Sequence, residues 1–272
     1  MTDRYALIGT PIGHSKSPLI HGTFARQTGE DMSYGLLETP PDRFREAVDR
    51  FRAEGGRGMN VTSPFKLEAF AYATDLMDRA RLAGAVNCMK FEGDRVWAEN
   101  FDGVGLVNDI QRNQRSPMAG KRVLLLGAGG AARGALMPFL EQAPALLFLA
   151  NRTIPKALAL GEQFAAHGPL RAGGYADIAG TFDVVVNATS ASQRGELPPV
   201  PAGAFAPGCL AYDLVYGKGL TPFLRVAREA GAGRVADGVG MLVEQAAEAW
   251  VWWRGLRPDT AELIRTLAVP LE

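Results

Sequence analysis

A lysine stands where a helix should begin in Asn60-Val61-Thr62-Ser63-Pro64-Phe65-Lys66. Proline favours extended geometry at Ser63 and suits the first helical position, so the spacing predicts Ser63 as N-cap and Lys66 within the first turn. A cation there opposes the helix dipole, where an acidic residue is favoured. A residue that breaks a local rule is a candidate for chemistry, and an ammonium can hold or deliver a proton. A solvated surface lysine breaks the same rule cheaply, so the local pattern leaves both readings open. Asn60 and Thr62, two apart on a strand, point to one face.

Ser15-Lys16-Ser17-Pro18 repeats the Ser-Pro step. Two hydroxyls beside the unsatisfied N–H groups of a helix start form a ready carboxylate site, although Ser17 as a simple N-cap explains the pattern too. Asp102, in Asn100-Phe101-Asp102-Gly103, is likewise a candidate carboxylate or a cap. Gln245 sits at the edge of an apolar helical stripe, where core-edge polarity is the plain alternative. His14, His21 and His167 have no metal-ligand spacing, and surface or capping positions are expected for them. No metal site is expected.

Gly127-Ala128-Gly129-Gly130-Ala131-Ala132 follows the apolar run Val123-Leu124-Leu125-Leu126 and opens a helix. This is a GxGxxA dinucleotide loop. Gly127 permits the turn, Gly129 lets backbone N–H groups approach a pyrophosphate, and small Ala132 lets helix and strand pack closely. The next strand, residues 146–150, ends in Asn151-Arg152-Thr153 with Lys156 following. An NAD site would carry a carboxylate there for the ribose 2′-OH. Here two cations stand instead, so NADP is the expected cofactor.

Positioning these groups takes an alternating strand and helix pattern. Strands are expected at residues 4–11, 32–38 and 58–62, and helices at 18–28 and 42–53, the latter with Phe44, Val48 and Phe51 on one face. Residues 86–91 and 95–98, joined by Glu92-Gly93-Asp94, read as a hairpin, and a helix follows over 103–112. After a polar connector at 111–121, runs at 122–126, 146–150, 184–187 and 210–214 alternate with helices, the signature of a parallel sheet with crossovers. An apolar helix over 241–253 and a shorter one from about residue 258 close the chain.

The 272 residues suffice for two domains. With 29 Lys and Arg against 29 Asp and Glu, no global field draws the chain to nucleic acid or an anionic membrane. Cys88 and Cys209 lack CxxC-type spacing and are expected as buried free thiols. No apolar run reaches the ~18 residues of a membrane helix, and residues 1–5 carry no apolar leader. A cytoplasmic setting is expected.

In their order and spacing these segments resemble the shikimate dehydrogenase family along nearly the whole chain. The matches are Gly13-His14-Ser15-Lys16-Ser17-Pro18, Asn60 to Lys66, Gly84-Ala85-Val86-Asn87, Asn100 to Gly103, the glycine loop and Asn151-Arg152-Thr153. Asn187-Ala188-Thr189-Ser190, Asp213-Leu214-Val215-Tyr216 and Gly238-Val239-Gly240-Met241-Leu242-Val243-Glu244-Gln245-Ala246 complete them. The resemblance implies an α/β fold of two domains. A Rossmann-type NADP-binding domain (residues 103–238) is inserted between the two parts of a substrate domain (1–102 with 239–272).

It further implies NADPH-dependent reduction of 3-dehydroshikimate to shikimate, with Lys66 and Asp102 as the catalytic pair. Ser15 and Ser17 would bind the carboxylate. Asn60, Thr62, Asn87, Asp102 and Gln245 would read the ring hydroxyls, and Tyr216 would line the cleft. The cofactor would meet Gly127, Ala128, Gly129, Gly130, Ala131, Asn151, Arg152, Thr153, Lys156, Thr189, Ser190, Leu214 and Gly238. Phe101 stands where Thr or Tyr is usual in the family, and Lys156 where a second Arg often stands. A quinate or dual quinate/shikimate dehydrogenase uses the same fold and pair, and both serines with the NADP-type turn favour shikimate. A nucleotide-binding regulatory module would be expected to lose Lys66 or Asp102. A small-molecule partner and a monomer or homodimer are expected.

Overall fold

The buried run Tyr5-Ala6-Leu7-Ile8 is apolar on both faces, as a strand covered on two sides requires. In a computed structural model, which describes residues 2–271, it forms the centre of β1 (Asp3–Gly9). Then follow α1 (Ser17–Thr28), β2 (Met32–Glu38), α2 (Phe44–Ala53), β3 (Gly56–Val61), α3 (Lys66–Tyr72), β4 (Asp75–Leu76), α4 (Asp78–Ala83), β5 (Cys88–Glu92) and β6 (Arg95–Glu99). The strands form one sheet in the order β2-β1-β3-β5-β6-β4. β1 runs parallel to β2 and β3, whereas β5 is antiparallel to β3 and to β6, its hairpin partner. Helix α2 buries Phe44, Ala47, Val48 and Phe51, an i, i+3, i+4, i+7 stripe, against a core that includes Ile8, Met59, Phe65 and Met89.

Helix α5 (Asp102–Asn108) continues into one π-helical turn at Asp109–Asn113. The second sheet is built from β7 (Arg122–Leu126), α6 (Gly130–Leu140), β8 (Leu146–Ala150), α7 (Ile154–Phe164), β9 (Leu170–Gly173), β10 (Phe182–Asn187), β11 (Phe205–Asp213), α8 (Pro222–Glu229) and β12 (Arg234–Ala236). Its order is β12-β11-β10-β7-β8-β9, parallel throughout. This is the doubly wound Rossmann order, and its direction reverses between β7 and β10. Ligands bind such sheets beyond the carboxyl ends of the strands at that reversal. Helices α9 (Val239–Arg254) and α10 (Ala261–Leu267) end the chain.

The chain divides into two compact units, residues 1–102 with 245–263 and residues 103–244 with 264–272. The short strands β4, β9 and β12 had no clear sequence signal, because two to four residues are too few for a readable alternation. Cys88 and Cys209 are buried free thiols, as expected. Trp250 and Trp253 are buried in the first unit, where the Trp253 indole N–H donates to the Met89 carbonyl at 3.0 Å. Among the described residues, no helix is long and apolar enough to cross a membrane.

Candidate active site and cofactor cradle

In the first unit, polar side chains from five segments converge. The turn after β3 closes when the Phe65 N–H donates to the Thr62 carbonyl at 3.0 Å. Phe65 is fully buried against Phe44, ring centroids 5.2 Å apart, and this anchors the start of α3. Neither Ser63 as cap nor Pro64 as first helical residue holds. Residues 62–65 are used up by the turn, so α3 begins at Lys66 itself, with Phe65 in the cap position. Lys66 does stand in the first turn.

Its ammonium Nζ lies 2.5 Å from Oδ2 of Asp102. Asp102 begins α5, and its N–H donates to the Asn100 side-chain oxygen at 3.1 Å. The other carboxylate oxygen, Oδ1, accepts from Asn87 Nδ2 at 2.7 Å. Asn87 Nδ2 also reaches Gln245 Oε1 at 3.3 Å, and its Oδ1 accepts the Phe101 N–H at 2.9 Å. Asn87 therefore has both amide protons engaged and acts on Asp102 directly. The carboxylate is held through both oxygens, and the lysine side chain remains 29% exposed while Asp102 is 11% exposed. A fixed carboxylate presenting an accessible ammonium can supply charge or a proton to an oxygen placed beside it.

Asn60, buried at the end of β3, accepts from the Tyr34 hydroxyl at 2.7 Å and donates to the Asn87 carbonyl at 3.4 Å. Thr62 follows the strand, half-buried, its methyl packed into the space that a Cβ on Gly9 would need. Ser17 is not the cap of α1 but its first residue. The Ser15 hydroxyl accepts the Ser17 N–H at 3.2 Å and donates to the Ser17 hydroxyl at 3.1 Å, so Ser15 does the work expected of Ser17. The two hydroxyls are adjacent.

Tyr34 and His21 were not legible as site residues. His21 is fully buried, against the surface or capping position expected for it, and its ring stacks on Tyr34 at 4.1 Å between centroids. It lies on the inner face of α1, where Ile20 and Phe24 are also buried. Burial pushes its imidazole pKa down to about 3, with the Asn60 side chain opposing the shift. The ring is neutral at working pH.

In the second unit, β7 leads into the glycine loop. Gly127 has φ 107°, left-handed backbone that favours glycine, and a Cβ there would stand 3.2 Å from the Ala188 carbonyl oxygen. Gly129 caps α6, and nothing lies within 4 Å of a Cβ built on Gly129 or Gly130. The open loop and the helix N-terminus suit a pyrophosphate. They border a cavity of about 380 Å³, lined by Gly127, Ala128, Gly129, Gly130, Ala131, Asn151, Arg152, Thr189, Ser190, Arg194 and others. The residues present fit a dinucleotide.

Four expected cofactor residues are not in its wall. Thr153 stands at the start of α7 and Lys156 within it, exposed. Leu214 donates its N–H to the Asn187 carbonyl at 3.0 Å, and a Cβ on Gly238 would collide with the Leu214 carbonyl oxygen. Tyr216 is 41% exposed in the same unit. Arg194 lines the cavity without having been expected there.

The buried carboxylate of Asp213 organises the loop after β10. It accepts from Ser192 at 2.5 Å, Thr221 at 2.7 Å and Asn187 at 3.2 Å, while Asn187 in turn accepts from the Thr189 hydroxyl at 2.7 Å. Burial raises the Asp213 pKa, and these donors oppose the shift. Among the described residues, no group of three or more His, Cys, Asp or Glu could hold a metal ion.

Three family models match the chain. Residues 7–89 match the shikimate dehydrogenase substrate binding domain, 109–194 match shikimate/quinate 5-dehydrogenase, and 238–267 match the shikimate 5′-dehydrogenase C-terminal domain. The shikimate dehydrogenase (NADP(+)) of Chromobacterium violaceum is 55% identical over 98% of each chain. The crystal structure of an Ael1 enzyme from Pseudomonas putida is 57% identical over 100% of each chain, with a TM-score of 0.96. Shikimate 5-dehydrogenase from Thermus thermophilus, solved in complex with NADP(H) and shikimate, is 32% identical with a TM-score of 0.87, covering 98% of this chain and 100% of its own.

Proposed function

The chain belongs to the shikimate dehydrogenase family, and from that premise we propose that it catalyses the reversible, NADPH-dependent reduction of 3-dehydroshikimate to shikimate, a step toward aromatic amino acids. One observation carries the reading furthest: the Lys66 ammonium lies 2.5 Å from a carboxylate whose other oxygen is held by Asn87. The nicotinamide supplies the hydride when bound.

The chain's own residues manage charge and orientation. Reduction of the 3-keto group puts negative charge on its oxygen, and the Lys66 ammonium is the group that neutralises it and delivers the proton. Asp102 holds that ammonium in place. Ser15 and Ser17 bind the ring carboxylate, while Asn60, Thr62 and Gln245 read the ring hydroxyls. Asn87 serves chiefly to orient Asp102, since its amide protons are engaged.

Residues 127–131 bind the pyrophosphate, and Asn151, Arg152 and Thr189 with Ser190 flank the adenosine end. Thr153, Lys156, Leu214 and Gly238 act from outside the cavity wall, Gly238 nearer the nicotinamide. Residues 1–102 with 239–272 form the substrate domain, and residues 103–238, which include the doubly wound sheet, form the NADP domain. A cytoplasmic enzyme, monomeric or homodimeric, accords with the two buried free thiols.

A spectrophotometric assay tests the activity. Shikimate and quinate are each offered with NADP⁺ and NAD⁺ while reduced cofactor is followed by absorbance. The highest kcat/KM is expected for shikimate with NADP⁺, and quinate turning over as well as shikimate would overturn the substrate assignment. Arg152→Ala is expected to raise the KM for NADP about tenfold and leave weak NAD use largely unchanged, because only NADP carries the 2′-phosphate. An equal loss with both cofactors means that Arg152 supports the fold instead.

A further inference from the structure

The wall of the cofactor cavity contains two arginines, Arg152 and Arg194, but not Lys156, and a guanidinium fork can take two phosphate oxygens. Arg194 belongs to the loop that Asp213 orders through Ser192 and Asn187. Its Nη1 donates to the Ser190 hydroxyl at 2.7 Å. Its Nε and Nη2 donate to the two carboxylate oxygens of Glu196, at 3.0 and 2.7 Å.

Glu196 lines the same cavity. Its carboxyl is held below the usual range chiefly by Arg194, with Arg152 contributing, so the two arginines share one electrostatic neighbourhood. A carboxylate in the fork of a guanidinium occupies the geometry that two phosphate oxygens would take. Both side chains of the pair are about half exposed, 52% and 55%, and an ion pair so open to water contributes little. Exchanging its single negative charge for a phosphate dianion therefore costs little and gains attraction. Left in place, the Glu196 carboxylate would repel the incoming phosphate.

We infer that Arg194 is a further specificity-determining residue, which leaves Glu196 for the 2′-phosphate of NADP and joins Arg152 there. This rests on the NADP reading above and adds a residue to it. The plainer account is a clip, in which Arg194 and Glu196 only hold residues 190–196 together. The two accounts differ in the sign of one substitution. A clip is broken equally by losing either partner, whereas a competitor for Arg194, once neutralised, frees the arginine.

Calorimetric titration of the full chain with adenosine 2′,5′-bisphosphate and with AMP separates them, because the two ligands differ by the 2′-phosphate and neither needs turnover. Arg194→Gln is expected to weaken the bisphosphate about 5- to 10-fold and to leave AMP within about twofold. Glu196→Gln is expected to leave bisphosphate binding unchanged or to tighten it. Arg194→Lys, which keeps the charge and loses the fork, should fall between wild type and Arg194→Gln. Equal weakening of both ligands by Arg194→Gln, no weakening of either, or a Glu196→Gln loss as large as that of Arg194→Gln overturns the inference. Wild-type protein that does not distinguish the bisphosphate from AMP overturns the NADP reading and this inference with it. Discrimination by wild type that survives Arg194→Gln removes only the role of Arg194.

Discussion

Lys66→Ala is expected to lower kcat by about 10²-fold or more while the KM for shikimate changes little. The lysine is the first residue of α3, and its backbone carbonyl already accepts the Val86 N–H at 3.0 Å, so the helix start does not depend on its side chain. Losing the ammonium leaves Asp102 bonded to Asn87, which keeps the carboxylate in position but without the group that meets developing charge. Because that charge exists mainly in the transition state, the loss should fall on kcat and kcat/KM together. Steady-state kinetics, with thermal unfolding to confirm an intact fold, decide the matter. A variant with near-normal turnover rules out this role for Lys66.

His21→Phe is expected to change how the stability of the first unit depends on pH. The folded pKa of His21 is about 3, against about 6.5 for an unfolded histidine. The unfolded chain therefore takes up the proton first. Stability from neutral His21 is complete above about pH 6.5 and is lost as pH falls toward the folded value, by about 2 kcal/mol at pH 5. Among the described residues neither ring nitrogen makes a well-formed hydrogen bond, the Asn60 side chain being the polar group that acts on the ring, and the ring stacks on Tyr34, so phenylalanine can replace it with little loss at pH 7.5.

All four tryptophans, Trp97, Trp250, Trp252 and Trp253, belong to the unit that contains His21. Urea unfolding followed by their fluorescence reports on that unit without a two-state assumption for the whole chain. Between pH 7.5 and pH 5 the wild type should lose about 2 kcal/mol more than His21→Phe. Buried acids such as Glu99, whose pKa burial raises, gain relative stability in acid, but they contribute equally to both proteins and cancel in the comparison. Parallel pH profiles would show that the buried ring is protonated far more easily than its burial implies.

What the sequence determined by itself is local. β7 and β8 fall on the expected residues, because a short apolar run bounded by a glycine loop or by a polar turn has one strand reading. The glycine loop and the two-cation turn carried the cofactor class for the same reason. Short-range backbone rules act within a few residues and leave their mark in composition. The helix starts at Ser17 and Lys66 escaped those rules by one or two residues, since each depends on which turn forms ahead of the helix.

Tertiary structure alone brought Lys66, Asn87, Asp102 and Gln245 into one hydrogen-bonded group. Each has a plain local explanation, and Asn87 and Gln245 are 158 positions apart, yet packing brings their amides within 3.3 Å. It also decided that His21 faces inward, and that Arg194 rather than Lys156 joins Arg152 at the cavity. A polar side chain acquires its role from the groups that share its low-dielectric surroundings. Those surroundings are assembled by strand pairing and core packing between distant segments, which no window of neighbouring residues contains.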